Sequence, residues 1–555
     1  MTIQNHDWWR GAVMYQVYPR SFMDSNNDGI GDLPGITDRL EYIASLGVEG
    51  IWISPFFRSP MKDFGYDISD YRDVDPIFGK NEDFDLLIEK AHRLGIKVII
   101  DMVLSHTSDK HPWFVESKNS RTNARADWYV WADPKPDGSP PNNWHSQFGG
   151  PAWTFDTRRG QYYMHNFLKE QPDLNYHCPD VQDAILNTCQ YWLERGVDGL
   201  RLDVINFLFC DKELRDNPAR IPGEGENCIQ VEAPYPYIMQ QHIYDKSRPE
   251  MIGFLNRLHD LMAEYPGTMT LAEIGDDHPF ETARQYTSHA RPLKTAYNTD
   301  MMSGNVGKKV TAGTIKQPIL RALEKCPESW MSWAFSNHDV VRTVSRWGQD
   351  QSHNPAVAKM FMALLTSLRG TIFLFQGEEL GLTEADIPFE RIQDPWGLSM
   401  WPEWKGRDGC RTPMPWHSKR PHTGFSETSG ETWLPIPEIH TQNAVNLQEA
   451  DPNSMLNFTR EFLKWRKENP VLIDGDIHFL EVMDEEIIAF ERCRGHEKML
   501  CVFNLGPQDK ECALSFDGQT HICRLKGFEF QVGDFISARD AKSPETAEII
   551  QLRTA

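Results

Sequence analysis

The stretch NEDFDLLIEKAHRLGIKVIIDMV (81–103) joins an amphipathic helix to an apolar strand. Asn81 can cap the helix, and the acidic first turn suits the positive end of the helix dipole. The following apolar residues have the i, i+3, i+4, i+7 spacing of one buried face: Phe84, Leu87, Ile88 and Ala91. Gly95 ends the helix, and the continuous run IKVIIDMV (96–103) predicts a strand that is buried on both faces.

The same order of helix, glycine and strand recurs along the chain. ITDRLEYIASLG precedes VEGIWISP (48–55), and PDVQDAILNTCQYWLERG precedes VDGLRLDV (197–204). Strands separated by helices favour parallel pairing through right-handed crossovers. Five further apolar runs bring the candidate strands to eight: AVMYQVYP (12–19), TMTLAEI (268–274), TAYNTDMM (295–302), WMSWAFSNHD (330–339) and TIFLFQGEE (371–379). The sequence therefore predicts an α/β fold, a (β/α)₈ TIM barrel.

Two long stretches interrupt this rhythm and predict the domain organisation. Residues 105–174, after the third strand, contain PKPDGSPPNNW and many aromatic residues but little helical periodicity, so we expect an insertion domain B there. Residues 381–450, after the eighth strand, form a smaller lid insertion, and such long barrel loops usually build the substrate pocket. The barrel itself comprises 1–104 and 175–474. The alternating runs IIAFERC, KMLCVFNL, CALSF and HICRL predict a C-terminal antiparallel β-sandwich at 475–555.

Composition limits the classes of partner. The net charge of −23, from 80 acidic and 57 basic residues, argues against nucleic acid and against an anionic membrane, although solubility alone explains it. Ten cysteines without CxxC pairs or a metal-type Cys/His spacing predict reduced thiols. The N-terminus shows no signal peptide, and the most apolar stretch (361–375) is too short to span a bilayer. We expect a cytoplasmic monomer or homodimer that binds no membrane.

Three separate segments end an apolar run on an acidic side chain: GLRLDV (199–204), MTLAEI (269–274) and FSNHDVV (335–341). Their carboxylates are Asp203, Glu273 and Asp339. A carboxylate at the mouth of a buried strand is costly to desolvate unless it is paired or used. Retaining glycoside hydrolysis needs one carboxylate that is neutral and donates a proton and one that is ionised and attacks. Convergence of the three at one end of a barrel predicts a sugar-cleaving enzyme.

The neighbours of these carboxylates suggest their roles. Arg201 and Asp203 lie two apart on one strand, so Arg201 can hold Asp203 ionised as a nucleophile. A structural ion pair is the alternative. The apolar run TMTLA raises the pKa of Glu273, as a general acid requires, although a strand-end glutamate can equally be structural. His338 can donate a hydrogen bond to a sugar hydroxyl, or it can simply be satisfied within the protein.

Other segments supply candidate pocket residues. In DMVLSHTS, His106 follows the third strand and reaches the pocket. In FGYDISDY, Asp67 can grip the far side of a terminal sugar while Tyr66 stacks beneath it. The segment GRDGCRTPMPW offers Arg407 and Arg411, one of which can pair with Asp67. Such an ion pair would close the pocket after one sugar unit.

DSNNDGIGD (24–32) is a candidate site for a structural Ca²⁺ or Mg²⁺ ion. Oxygen ligands recur at every second residue, as in a calcium loop: Asp24, Asn26, Asp28, the carbonyl of Ile30, and Asp32. Gly29 lies at the sharp turn, and Gly35 occupies the position of the bidentate glutamate, so the loop is not a complete EF-hand. The alternative is an Asx-rich turn without an ion.

Together these motifs resemble the α-amylase superfamily of retaining glycoside hydrolases, family 13, over nearly the whole chain. QPDLN (171–175), ERGVDGLRLDV, and RTPMPW with the later GFS resemble the oligo-1,6-glucosidase and α-glucosidase group. The resemblance implies that Asp203 is the nucleophile, Glu273 the general acid/base and Asp339 the stabiliser of the transition state. It also implies substrate contacts from His106, Arg201, His338, Phe148 and Phe167, closure by Asp67 and Arg407, and the metal loop above.

The implied activity is that of an exo-acting α-glucosidase on short oligosaccharides of the maltose, isomaltose or sucrose type, with transglucosylation. Val204 follows the nucleophile, and valine there accompanies α-1,6 activity in relatives. INFLF and DKELRDNPA instead resemble the α-1,4-type enzymes, so the linkage stays open. A glucosyl-transferring isomerase, of the trehalose synthase or sucrose isomerase type, is the alternative. A non-catalytic, amylase-like transporter subunit is more remote, because it would need a transmembrane helix and lost carboxylates.

Overall fold

A computed structural model describes residues 7–221, 235–288, 293–302, 309–516 and 519–534. Within these ranges, eight parallel strands close into a barrel: β1 Val13–Val17, β2 Gly50–Ile53, β3 Lys97–Val103, β4 Gly199–Asp203, β5 Met269–Glu273, β6 Thr295–Tyr297, β7 Ser332–Trp333 and β8 Thr371–Phe375. Each strand pairs with the next along the chain, and β8 pairs with β1. All eight lie within the runs predicted from the sequence, so the TIM barrel is confirmed.

Fifteen α-helices occur in the described ranges. They are α1 Leu33–Asp38, α2 Leu40–Leu46, α3 Asn81–Arg93, α4 Pro112–Ser117, α5 Pro179–Glu194, α6 Met251–Ala263, α7 Pro279–Thr287, α8 Ala312–Lys325, α9 Thr343–Trp347, α10 Pro355–Ser367, α11 Pro395–Met400, α12 Glu438–Gln442, α13 Val445–Ala450, α14 Met455–Glu468 and α15 Pro470–Asp474. Of these, α4 and α11 to α13 belong to the insertions, and most of the others follow the barrel strands. In the described part of the chain, no helix has both the length and the apolar character needed to cross a membrane.

The α3–β3 unit shows how the sequence specifies this architecture. The predicted face of α3 is buried: Phe84, Leu87, Ile88 and Ala91. Gly95 takes the left-handed conformation (φ +75°) just after the helix, which a residue with a Cβ adopts less readily. The cap is Lys80 rather than Asn81, because the Asp83 carboxylate accepts the backbone N–H of Lys80 at 3.0 Å. The Asn81 side chain instead accepts the N–H of Val74 at 3.0 Å.

Both insertions lie over the carboxyl end of the barrel. Between β3 and α5 the described chain holds α4 and an antiparallel sheet of Trp131–Ala132, Gln161–Met164 and Trp153–Asp156. The stretch after β8 contributes α11, α12 and α13. The Ser399 hydroxyl on α11 donates to the carbonyl of Phe148 at 3.2 Å, which joins the two insertions. The domain boundaries themselves stay a prediction.

The C-terminal region is antiparallel, as predicted. Its described strands are β9 Asp476–Phe479, β10 Ile487–Arg494, β11 Glu497–Asn504, β12 Lys510–Phe516, β13 Gln519–Leu525 and β14 Phe530–Asp534. The sheet order is β9-β10-β11-β14, and β12 pairs with β13 in a separate hairpin. One apolar cluster joins the two layers, with Ala489 and Val502 from the sheet against Leu514 and Phe516 from the hairpin. Residues 535–555 of the predicted domain lie outside the described residues.

Candidate active site

The three predicted carboxylates meet at one cavity. It has a volume of about 890 Å³, opens to solvent, and is lined by Asp203, Glu273 and Asp339 among others. Asp203 and Glu273 are the last residues of β4 and β5, and Asp339 follows β7. The carboxyl ends of parallel barrel strands share one face, which is why residues so distant in sequence converge.

Arg201 lies beneath this cavity and is shared by three carboxylates. Its side chain is 1% exposed and extends from β4 on the same face as Asp203. Its Nη1 lies 2.8 Å from Oδ1 of Asp101 and 2.5 Å from Oδ1 of Asp203. Its Nη2 lies 2.5 Å from Oε2 of Glu273. The guanidinium therefore fixes Asp203 and Glu273 relative to each other, but from behind them rather than from the cavity wall.

Burial makes the carboxyl groups around Arg201 weaker acids than exposed ones. Burial raises the pKa of Asp203 to about 7 and that of Glu273 to about 7, although the charge of Arg201 opposes both shifts. Burial likewise raises the pKa of Asp101 to about 6. Arg201 favours the ionised form of Asp203, in the direction expected from the sequence, but its single charge is shared among three buried carboxylates and burial outweighs it. Burial and the negative charge of Asp203 both favour the protonated form of Glu273, which can therefore hold a proton near neutral pH.

Val204 directs a backbone donor at Glu273. Its φ of +32° lies in the left-handed region, which is strained for a β-branched residue. In this conformation its N–H donates to Oε2 of Glu273 at 3.2 Å. The strained turn after Asp203 thus positions the second carboxylate.

Asp339 has a different electrostatic environment. Its Oδ1 lies 3.1 Å from Nη1 of Arg407 and 2.8 Å from Nη2 of Arg411. Burial alone would raise the pKa of Asp339, but the neighbouring His338 and the charges of Arg407 and Arg411 outweigh it and hold the pKa well below its usual range. Burial lowers the pKa of His338 to about 3, so this imidazole is neutral at pH 7 and the arginines supply the charge. Asp339 is therefore permanently ionised.

His338 belongs to a hydrogen-bond chain under the cavity. The Gln16 amide donates to Nδ1 of His338 at 2.8 Å, which leaves the proton on Nε2. That nitrogen lies 2.5 Å from the Tyr66 hydroxyl, and the hydroxyl donates to Oδ2 of Asp101 at 3.0 Å. The Tyr66 ring stacks on the His338 ring at 5.3 Å and lines the cavity. His338 is 1% exposed, so its donor serves Tyr66 and Asp339 rather than the cavity.

The predicted ion pair of Asp67 with Arg407 is wrong, because Asp67 has other partners. Asp67 is fully buried and accepts from the Ser59 hydroxyl at 2.8 Å and from the N–H groups of Lys62 and Asp63 at 2.9 and 3.0 Å. Burial raises its pKa to about 6. Asp63 lines the cavity instead, and its Oδ1 lies 2.8 Å from Nη2 of Arg407. The turn closes on the oxygens of Asp67, which leaves Asp63, four residues earlier, as the pocket carboxylate.

Arg407 joins the lid to the pocket. Besides Asp63 and Asp339 it binds Asp394, with Nη2 to Oδ1 at 2.7 Å and Nε to Oδ2 at 3.0 Å. Oδ1 of Asp394 also accepts the N–H of Trp396 and caps α11. The guanidinium is 6% exposed and fully paired, so it fixes the lid against the barrel while closing one end of the cavity.

An aromatic wall forms the other side of the cavity. Phe148 and Phe167 line it, as implied by the resemblance, with ring centroids 5.4 Å apart. The lid residue Trp396 stacks on Phe148 at 5.0 Å. His106 lines the cavity beside Phe167, and burial lowers its pKa to about 4, so it is neutral.

Sequence reasoning missed part of the lining: Asp63, Gln147, Thr299, Met302, Asn337 and Trp396. The aromatic-rich lid segment was the available signal for Trp396.

The predicted metal loop is an Asx-rich turn with oxygens suited to a hard cation. The Asp24 carboxylate accepts the N–H groups of Asn26 and Gly29 at 3.1 and 2.8 Å. Asn26 and Asp28 each accept the N–H two residues on, and Asp32 accepts the Gly35 N–H at 2.7 Å. Oδ1 of Asp24 accepts from both Asn26 and Asn27, and Oδ2 of Asp32 accepts from the N–H and the hydroxyl of Ser25, so each of these carboxylates keeps a lone pair for a cation only on its other oxygen. Alternating carboxylate, amide and carbonyl oxygens fit Ca²⁺ or Mg²⁺ chemically.

Comparison with known proteins agrees with this geometry. The family described as alpha amylase, catalytic domain, matches residues 16–475. A probable alpha-glucosidase of Rhizobium meliloti (strain 1021) is 55% identical over 505 residues, covering 91% of this chain and 90% of that protein. The oligo-1,6-glucosidase of Heyndrickxia coagulans is 38% identical over 543 residues, covering 92% and 94%. The crystal structure of the alpha-glucosyl transfer enzyme XgtA superposes with a TM-score of 0.89 at 50% identity, covering 94% of this chain and 98% of that one.

The matched family spans most of the chain, and the relatives align over nearly their full lengths. Both agree with a barrel whose cavity holds three acidic side chains at the strand ends. The chain belongs to the α-amylase family and is a glycoside hydrolase.

Proposed function

We propose that this protein is a retaining, exo-acting α-glucosidase that removes terminal α-glucose from short oligosaccharides. One observation carries the proposal: Asp203 and Glu273 share the Arg201 guanidinium and both have a pKa near 7, while Asp339 stays ionised across the cavity. A proton donor, an attacking carboxylate and a fixed anion are the groups that this reaction requires.

In the first step, Asp203 attacks the anomeric carbon of the terminal glucose while Glu273 gives its proton to the leaving oxygen. The C1–oxygen bond breaks and a β-glucosyl-enzyme ester forms on Asp203. In the second step, Glu273 takes a proton from water, and the resulting hydroxide attacks C1 and releases Asp203 as the carboxylate. Asp339, held anionic by two arginines, stabilises the positive charge that develops on the sugar ring.

The ion pair of Asp63 and Arg407 supports exo action. Both side chains line the cavity and lie 2.8 Å apart at its polar end. A sugar placed at Asp203 meets this pair with its far hydroxyls, and a second sugar has no room beyond it. We infer that the pocket accepts one glucose unit and that the aromatic wall of Phe148, Phe167 and Trp396 contacts the leaving group.

A substrate panel tests the proposal. Maltose, isomaltose, sucrose and trehalose are compared with starch, and the first product is followed by NMR. We expect rapid release of glucose from at least one disaccharide, as the α-anomer. Initial β-glucose would contradict retention, and fast cleavage of starch with little action on disaccharides would contradict the one-unit pocket. The same panel shows which linkage is preferred.

Glucosyl transfer is the second candidate, because the solved relative at 50% identity is described as an alpha-glucosyl transfer enzyme. The apolar part of the cavity lining, which includes Met302 and Val340, favours an acceptor alcohol over water. The ratio of transfer product to free glucose at high maltose concentration distinguishes the two. A trehalose synthase or sucrose isomerase would return mainly rearranged disaccharide.

We also propose a structural Ca²⁺ or Mg²⁺ ion in the 24–32 loop, held by Asp24, Asn26, Asp28, Asp32 and the carbonyl of Ile30. Removal of the ion by a chelator should lower the melting temperature by a few degrees, and Ca²⁺ should restore it, because an ion that binds only the folded state stabilises it. Asp28→Asn should weaken this response, whereas Asp38→Asn, outside the loop, should not. A cytoplasmic location and a monomeric or dimeric state remain proposals.

A further inference from the structure

The C-terminal sheet carries a cluster of metal-ligand side chains far from the sugar cavity. His478 on the edge strand β9 lies directly opposite Glu491 on β10. Cys493 is two residues beyond Glu491, so both side chains project from the same face of β10. One ligand atom from each of the three lies within 4.8 Å of the others, and no other group of this kind occurs among the described residues.

We propose that His478, Glu491 and Cys493 bind a divalent transition metal of the zinc class. Imidazole, carboxylate and thiolate are the ligands that Zn²⁺ takes in proteins, with bonds of about 2.0–2.3 Å. A tetrahedral ion with such bonds places its ligands roughly 3.3–3.8 Å apart, so small side-chain rotations bring the three into range. Water completes the fourth position. Binding forms a metal–sulfur bond and releases the Cys493 thiol proton to solvent.

The chemistry of this cluster separates it from the 24–32 loop. Thiolate and imidazole favour Zn²⁺, Co²⁺ and similar metals, whereas carboxylate and carbonyl oxygens favour Ca²⁺ and Mg²⁺. The two sites should therefore take different ions from one solution. His478 is exposed while Glu491 and Cys493 are half-buried, so the metal can enter from solvent.

Two charged groups border the cluster. Lys498 on β11 lies opposite Cys493, and its Nζ is 4.0 Å from Oε2 of Glu491. Nζ of Lys498 also lies 5.7 Å from the ring centroid of Phe516, and its charge is the one with which a metal ion would compete for Glu491. Asp476 on β9 also lies opposite Cys493 and forms an ion pair with Arg369 at 3.4 Å. Its negative charge adds to the attraction for a cation.

The site would fasten the edge of the sheet. β9 pairs with β10 along one side, so its outer edge carries no strand in the described sheet order β9-β10-β11-β14. A metal bound by His478 from β9 and by Glu491 and Cys493 from β10 crosslinks the two strands. We therefore expect metal to raise stability without changing glycosidase activity.

Metal titration of the full-length protein tests the proposal. Protein freed of metal by a chelator and then desalted is titrated with Zn²⁺ against a chromogenic competitor, and separately with Co²⁺. We expect one equivalent of Zn²⁺ to bind with submicromolar affinity even in excess Ca²⁺. Co²⁺ should give the near-ultraviolet absorption of a thiolate complex. Cys493→Ser and His478→Gln should each weaken Zn²⁺ binding by more than about tenfold.

Matched variants control for unrelated effects. His496→Gln alters an exposed histidine in the turn between β10 and β11, and Cys178→Ser alters a half-buried cysteine before α5. Both should bind Zn²⁺ like the wild type, and all four variants should keep wild-type glycosidase activity, which reports folding. The absence of a thiolate band in wild-type protein, or equal Zn²⁺ affinity in Cys493→Ser, would show that the proposal is wrong.

Discussion

The two sides of the cavity bury their carboxylates alike but charge them differently. On one side, Arg201 is shared by Asp101, Asp203 and Glu273, and burial raises the pKa of each. On the other side, Asp339 contacts both Arg407 and Arg411, and its pKa lies well below the usual range. Asp339 contacts two guanidinium groups, whereas Asp203 and Glu273 share one with Asp101, so similar burial leaves these carboxylates with different pKa values. One side is built for proton transfer and the other for constant charge.

The largest effect should come from removing the attacking group. Asp203→Asn should lower kcat/KM by about 10⁴-fold, since the covalent step is lost. Glu273→Gln should be similarly severe on maltose but much milder on a nitrophenyl glucoside, whose leaving group needs no proton. Asp180→Asn, an exposed acid at the start of α5, is the control and should be active. A loss below tenfold in Asp203→Asn would refute its role.

The variants of Asp63 and Asp67 test which of the two carboxylates pairs with Arg407 in the pocket. Asp63→Asn leaves Arg407 without one partner in the pocket, and kcat/KM should fall by about 10²-fold or more, since breaking a buried ion pair costs about 3–5 kcal/mol. Asp67→Asn should instead lower the free energy of unfolding by about 1–3 kcal/mol, because it replaces a buried acceptor. Steady-state kinetics and thermal unfolding of both variants measure this difference. If Asp67→Asn lowered kcat/KM and Asp63→Asn lowered only stability, the sequence-based prediction that Asp67 closes the pocket would be right.

The pH dependence should reveal the proton-transfer side. Activity should fall above pH about 7, because Glu273, whose pKa burial raises to about 7, then loses the proton that the leaving group needs. The free energy of unfolding should change with pH in opposite directions on the two sides of the cavity. The raised pKa values stabilise the fold at low pH, and this contribution is lost as pH rises towards 7. The lowered pKa of Asp339 stabilises the fold above pH about 4, its unfolded value, and this contribution is lost in acid. A profile of kcat/KM that is flat to pH 9 would contradict the role of Glu273 as the proton donor.

The smallest effect should come from the aromatic wall, which carries no charge. Trp396→Ala should raise KM for a disaccharide by about tenfold, since it removes a ring that stacks on Phe148 beside the leaving group. The value of kcat should change less. Trp401→Ala, which alters a ring packed on Phe389 outside the cavity lining, is the matched control. An equal effect in both variants would show that the wall acts only through lid stability.

The sequence predicted the barrel and the three carboxylates because each can be identified locally. An apolar run that ends on an acid marks both a strand and its carboxyl end, as with Asp203 at the end of β4. The choice between Asp63 and Asp67 is not local, since it depends on Arg407, which is 344 residues from Asp63. The protonation of Asp203 depends on how many carboxylates share Arg201, and the cluster at His478 depends on strand register. Neither the sharing of Arg201 nor the strand register can be inferred from the spacing of residues in the sequence.

Val204 contributes to the active site both through its place in the cavity lining and through its backbone. Val204 lines the cavity, while its strained backbone supplies a hydrogen bond to Glu273. A glycine at this position would relax the turn and leave the backbone N–H less firmly directed at Glu273. Substitutions of Val204 will therefore also displace the acidity of the medium at which the enzyme works best, so variant libraries built there need screening in several buffers.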